Sequence, residues 1–126
     1  MTKKILIIDD DPDIVESTKL ILENEGYDVI SESGPDTGYQ AAINENPDLI
    51  ILDVMMVEPD DGFFIASKIK SKNPGVPIIM YSAVSNALGY EFGSGSVVKV
   101  DQFIDKPVEP EVLISVIGKL LNGKKG

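Results

Sequence analysis

Asp53 closes the run Leu49-Ile50-Ile51-Leu52-Asp53, four apolar residues ending in one carboxylate. A second apolar run, Ile5 to Ile8, ends in three: Asp9, Asp10 and Asp11. Two more runs end in other polar groups, Ser82 after Ile78 to Tyr81 and Lys106 after Phe103-Ile104. A carboxylate such as Asp53 can act as a nucleophile and form an aspartyl-phosphate. That chemistry needs the charge on the transferred phosphoryl oxygens neutralised, which a metal, a lysine and a hydroxyl can share. Carboxylates packed together repel, and a hard divalent cation relieves the repulsion.

Each of these residues also has a plain structural reading. Asp11 followed by Pro12 is a helix cap with proline at the first helical position. Asp53 on its own can start a loop, Ser82 can terminate a strand, and a surface lysine is usually solvated. Asp9 and Asp10 fit the plain reading less well, because they follow four apolar residues at a strand end. Lys106 is followed by Pro107, which fixes the local turn. No single position is decisive. Their order, each at the end of a different predicted strand, favours convergence on Asp53 and a magnesium site shared by the aspartates.

The composition narrows the chemistry. The chain has no histidine and no cysteine, so the usual general base, the commonest zinc ligands, thiolate chemistry and disulfides are all excluded. A metal here must be held by oxygen, which points to magnesium, manganese or calcium. Twenty-one acidic residues against 11 basic give a net charge of −10. That charge disfavours direct contact with nucleic acid or anionic lipid. The first apolar run is too short for a signal-peptide core, and no segment approaches the roughly 20 apolar residues of a membrane span. A cytoplasmic location is the expectation.

The elements that must position these groups alternate along the 126 residues. Apolar runs predict strands at 4–8, 27–31, 49–53, 76–82 and within 100–106. Between them, helical spacing predicts helices from Pro12 to a left-handed cap at Gly26, from Pro35 to about Asn46, from Gly62 to about Lys72, and from Pro110 to Leu121. The expected inward residues include Tyr39, Ala42 and Ile43 in the second helix and Val112, Leu113, Val116 and Ile117 in the last. Strict alternation implies a single α/β domain, 1–126, with a parallel sheet. In such sheets ligands bind beyond the carboxyl ends of the strands, where Asp53 lies. The weak stretch is Ala83 to Lys99, which holds Gly89, Gly93 and Gly95 and lacks an apolar stripe. An irregular or shortened fourth helix is expected there.

Four segments together carry a family resemblance: Ile5-Leu6-Ile7-Ile8-Asp9-Asp10-Asp11-Pro12, Asp48 to Met56 around Asp53, Pro77 to Ala83, and Asp101 to Pro107. The chain resembles the receiver domain of two-component response regulators over nearly its whole length. The resemblance implies a doubly wound, flavodoxin-like sheet of five strands in the order 2-1-3-4-5. It implies that Asp53 accepts a phosphoryl group from the phosphohistidine of a sensor histidine kinase. Asp9 and Asp10 would hold Mg2+, with Mn2+ also fitting. Asp53 and the backbone carbonyl of Met55 would complete the protein's share of the metal ligands. Ser82 would bond a phosphoryl oxygen and Lys106 would pair with the phosphate. Ser82 and Phe103 would form the switch. Such a protein is a phosphoacceptor that assists its own phosphorylation and dephosphorylation, not an enzyme with a separate substrate.

The chain departs from the family pattern at Val57, where the family usually has proline, and in Val57 to Gly62, about one residue longer than usual. Met55 and Val84 stand where the family tunes water access to the phosphoaspartate; both are apolar, which predicts slow self-dephosphorylation. With no segment read after the last helix, a stand-alone receiver without an output domain is expected. Its output would pass to a histidine phosphotransfer protein or a downstream effector protein. Two alternatives stand beside this. One is a pseudo-receiver, a binding scaffold that uses no phosphate. The other is a phosphatase of the haloacid-dehalogenase type, which Asp9-x-Asp11 also resembles. Asp13 stands where those enzymes place threonine or valine, and their late acidic pair is missing after Lys106.

Overall fold

Strands and helices alternate along most of the chain, and the computed structural model resolves that alternation into one parallel sheet with helices on both faces. It describes residues 3–53, 61–82, 102–105 and 109–123; at 61–64, 82, 102–105 and 122–123 the description is of the backbone. The strands are β1 (Lys4–Ile8), β2 (Asp28–Glu32), β3 (Leu49–Asp53), β4 (Ile78–Ser82) and β5 (Gln102–Asp105). The helices among the described residues are α1 (Pro12–Asn24), α2 (Pro35–Asn44), α3 (Asp61–Lys72) and a last helix, Pro110–Gly123. The strand order is β2-β1-β3-β4-β5, as the resemblance implies, and every pairing is parallel. The expected irregular helix at 83–99 lies outside the described residues.

The sheet is buried on both faces at β1, β3 and β4, which is why those strands are continuous apolar runs, while the edge strand β2 is half-exposed. The two-residue period divides them cleanly. Leu6, Ile8, Ile50, Leu52, Ile78 and Met80 pack against Ala41 and Ala42 of α2 and Ile65, Ala66 and Ile69 of α3. Ile5, Ile7, Leu49, Ile51, Ile79 and Tyr81 face the other way, against Leu22 of α1 and Leu113 and Ile117 of the last helix. All five residues of β3 are buried, so the strand that carries Asp53 is the middle of the core.

Local signals fix the helix ends. The Asp11 side chain accepts from the backbone N–H of Asp13 and Ile14, and Pro12 opens the helix, as expected. At the other end Gly26 takes φ +95°. Its N–H donates to the carbonyl of Glu23, and Tyr27 N–H donates to that of Leu22, a Schellman closure that returns the chain into β2. α2 ends at Asn44; Pro47 disfavours a helical residue before it, and Asn46 takes a left-handed φ of 55°.

Two expected inward residues lie outside instead. Ile43 is 40% exposed, and α2 buries Gly38, Ala41 and Ala42. The helix sits so close to the sheet that its small residues make the contact, and Ile43 is rotated off that face. Val112 is 48% exposed, because Leu113 and Ile117 carry the burial of the last helix.

Candidate functional site: an acidic cluster at the strand ends

The register of β1 against β3 builds the site. Ile8 is the partner of Leu52, so the next residues along, Asp9 and Asp53, come level at the carboxyl edge of the sheet. Both follow the two-residue period of the face that packs on α1. The cost of burying charge makes aspartates rare in such positions, yet Asp9 is 2% exposed and Asp53 5%. Asp10 is exposed at the turn into α1. One carboxylate oxygen from each of Asp9, Asp10 and Asp53 lies within 4.8 Å of the other two.

Backbone groups hold Asp9 in place. Its N–H donates to the carbonyl of Glu32, at 3.1 Å, which ties the end of β1 to the end of β2. Its Oδ1 accepts from Asp11 N–H at 2.9 Å. That N–H lies at the start of α1, where the helix dipole favours negative charge. Asp11 itself is spent on the helix cap. The triplet therefore divides: two carboxylates face Asp53, and the third terminates the helix.

The donor set fits a small hard cation. All three groups are carboxylates, and the trans oxygens of an octahedral magnesium stand about 4.2 Å apart. Three carboxylate oxygens within 4.8 Å of one another lie close to that span.

Of the other expected site residues, Ser82 ends β4. Tyr81 is the register partner of Asp53, so the Ser82 backbone stands one step beyond Asp53 at the same sheet edge. Phe103 in β5 pairs with Met80, and Ser82 pairs with Asp105. Lys106, Met55, Val57 and Val84 lie outside the described residues. From Asp9 and Asp10 a groove of about 760 Å³ runs along α1, lined on the helix side by residues that include Val15 and Leu20 and on the other by Ser31, Glu32 and Ser33. Sequence reasoning did not find it, because it forms between a helix and the edge strand. The 64% exposure of Leu20 is its outward sign.

A doubly wound parallel sheet in the order 2-1-3-4-5, with its candidate site at the carboxyl edge, defines the class of flavodoxin-like α/β domains. The chain belongs to one family within that class: residues 5–118 match the response regulator receiver domain. Among curated relatives, the alkaline phosphatase synthesis transcriptional regulatory protein PhoP of Bacillus subtilis is 36% identical over 114 residues, 87% of this chain and 45% of that protein. The transcriptional regulatory protein CssR of the same organism is 35% identical over 127 residues, 96% of this chain and 52% of that one. The chain thus spans about half the length of the curated relatives it matches. A CheY-like receiver domain from Methanospirillum hungatei superposes with a TM-score of 0.85 at 31% identity, covering 99% of this chain and 98% of that one. The receiver domain of a signal transduction histidine kinase from Syntrophus aciditrophicus superposes at 0.84, also with 31% identity, covering 97% and 92%.

Among the described residues no helix is long and apolar enough to cross a membrane.

Proposed function

We propose that this chain is a phosphoacceptor in a two-component phosphorelay, and that Asp53 is the acceptor. The observation that carries the reading is the placement of the buried Asp53 carboxylate level with Asp9 and beside Asp10. In the proposed step an Asp53 carboxylate oxygen attacks the phosphorus of a kinase phosphohistidine. The P–O bond forms as the P–N bond breaks, and the imidazole nitrogen leaves with the electron pair. Asp9, Asp10 and Asp53, with the Met55 carbonyl, would hold Mg2+ or Mn2+, which supplies positive charge against the phosphoryl oxygens when bound. Ser82 donates its hydroxyl to one of those oxygens, and Lys106 pairs with another. The Asp9 carboxylate is aimed by the Asp11 N–H, so it needs no rearrangement before the reaction.

The consequence is a switch. A phosphoryl group on Asp53 adds charge at the edge where β3 and β4 end, and Ser82 with Phe103 on β5 relays it to a protein-interaction surface. That surface is read by a downstream effector or a histidine phosphotransfer protein. With a net charge of −10 the domain itself is a poor nucleic-acid ligand. The reaction belongs in the cytoplasm, where kinases draw on ATP.

Intact mass after incubation with acetyl phosphate and magnesium tests the proposal. The parent chain gains one phosphoryl group, the gain needs magnesium, and Asp53→Asn shows none. An adduct that persists in Asp53→Asn would move the acceptor elsewhere. No adduct from either acetyl phosphate or a panel of kinases would favour the pseudo-receiver scaffold.

A further inference from the structure

We propose that Gly38 of α2 is a positioning residue for the acidic cluster, although α2 contributes no group to it. The inference rests on the metal reading above. A Cβ built on Gly38 would lie 2.6 Å from Ile8 Cγ2, 2.9 Å from Cδ1 and 3.0 Å from Cγ1. Three atoms of one side chain therefore occupy the volume that any other residue at 38 would fill. Ile8 is fully buried and is the last residue of β1, directly before Asp9.

Ile8 has little freedom to give way. It is β-branched, so its Cγ2 moves only if χ1 or the backbone moves. It is register partner to Glu32 on one side and to Leu52 on the other. Leu52 precedes Asp53 as Ile8 precedes Asp9. The close seat of α2 on Ile8 thus clamps the last step of β1 from the face opposite the carboxylates. That clamp sets where Asp9 and Asp10 leave the sheet relative to Asp53. A side chain at 38 must push out either α2 or the end of β1, and the second displaces two of the three proposed ligands.

Calorimetric titration with magnesium alone, at a temperature where each variant is folded by circular dichroism, tests this. Gly38→Ala is expected to weaken magnesium binding about tenfold, the scale of lost support to a metal ligand. Ile8→Ala in the Gly38→Ala background removes all three crowding atoms, Cγ1, Cγ2 and Cδ1. It is expected to recover most of the affinity. Ile8→Val alone loosens the clamp and is expected to weaken binding by a smaller factor; it serves if Gly38→Ala does not fold. A purely structural role would lower the unfolding temperature of Gly38→Ala and leave the affinity of the folded protein unchanged. That result, or parent-like affinity in Ile8→Val where Gly38→Ala does not fold, overturns the inference while the metal reading stands. No binding by the parent chain overturns the metal reading and the inference with it.

Discussion

Asp9, Asp10 and Asp11 are consecutive and chemically identical, and the fold gives them three different environments: buried beside Asp53, exposed beside Asp53, and capping α1. Their substitutions therefore separate. Asp53→Asn removes one of three crowded charges. In EDTA it is expected to stabilise the chain by about 1 kcal/mol, a few degrees in unfolding temperature. Saturating magnesium should abolish or reverse that advantage, since the parent then gains the binding energy and the variant does not. A thermal melt of both proteins with and without magnesium reads the crossover; parallel shifts would mean Asp53 is not a ligand. Asp11→Ala is expected to behave in the opposite way. It loses two side-chain bonds to the start of α1 and costs about 1 kcal/mol. Magnesium affinity stays at the parent value, because the bond from Asp11 to Asp9 is made by backbone N–H.

At the scale of the element, helix ends were the most legible feature and helix faces the least. Pro12, Gly26 and Pro35 each act through their own backbone, so sequence alone placed them. Gly26→Ala is a clean check: nothing lies within 4 Å of the added Cβ, so only the left-handed φ resists it. It is expected to cost about 1–2 kcal/mol in denaturant unfolding without changing magnesium binding. The faces depend on what each helix meets. In α2 a hydrophobicity rule favours Ile43, but the helix touches the sheet through Gly38, Ala41 and Ala42 and turns Ile43 outward. Gly38 carries no signal of its own in the sequence, because its meaning lies in Ile8, thirty positions earlier. The acidic pair was legible for the reverse reason. Parallel strands that end in carboxylates bring those ends to one edge, whatever the side chains between them. The groove along α1 had no such signal, since it depends on how the helix sits against the end of the edge strand β2.

At the scale of the whole molecule the question is how a chain of net charge −10 distinguishes a bound cation from a cloud of them. Any salt screens self-repulsion across the surface and raises stability a little. A site in which Asp9 and Asp53 are buried responds differently, because screening reaches buried pairs much less. Binding confined to the folded state stabilises by mass action, about 2.7 kcal/mol when the ligand stands at 100 times its dissociation constant. For a domain of this size that amounts to an unfolding-temperature rise on the order of 10 °C. Sodium chloride at matched ionic strength is expected to give only a small part of the rise, and Asp10→Asn to lose most of the magnesium-specific remainder. Asp10 is the right residue for this arm: it is exposed, so its replacement leaves the core and the cap of α1 intact. Equal shifts from sodium and magnesium would make the stabilisation a property of the total charge, and the three carboxylates would then be a crowded turn with no specific ion to hold.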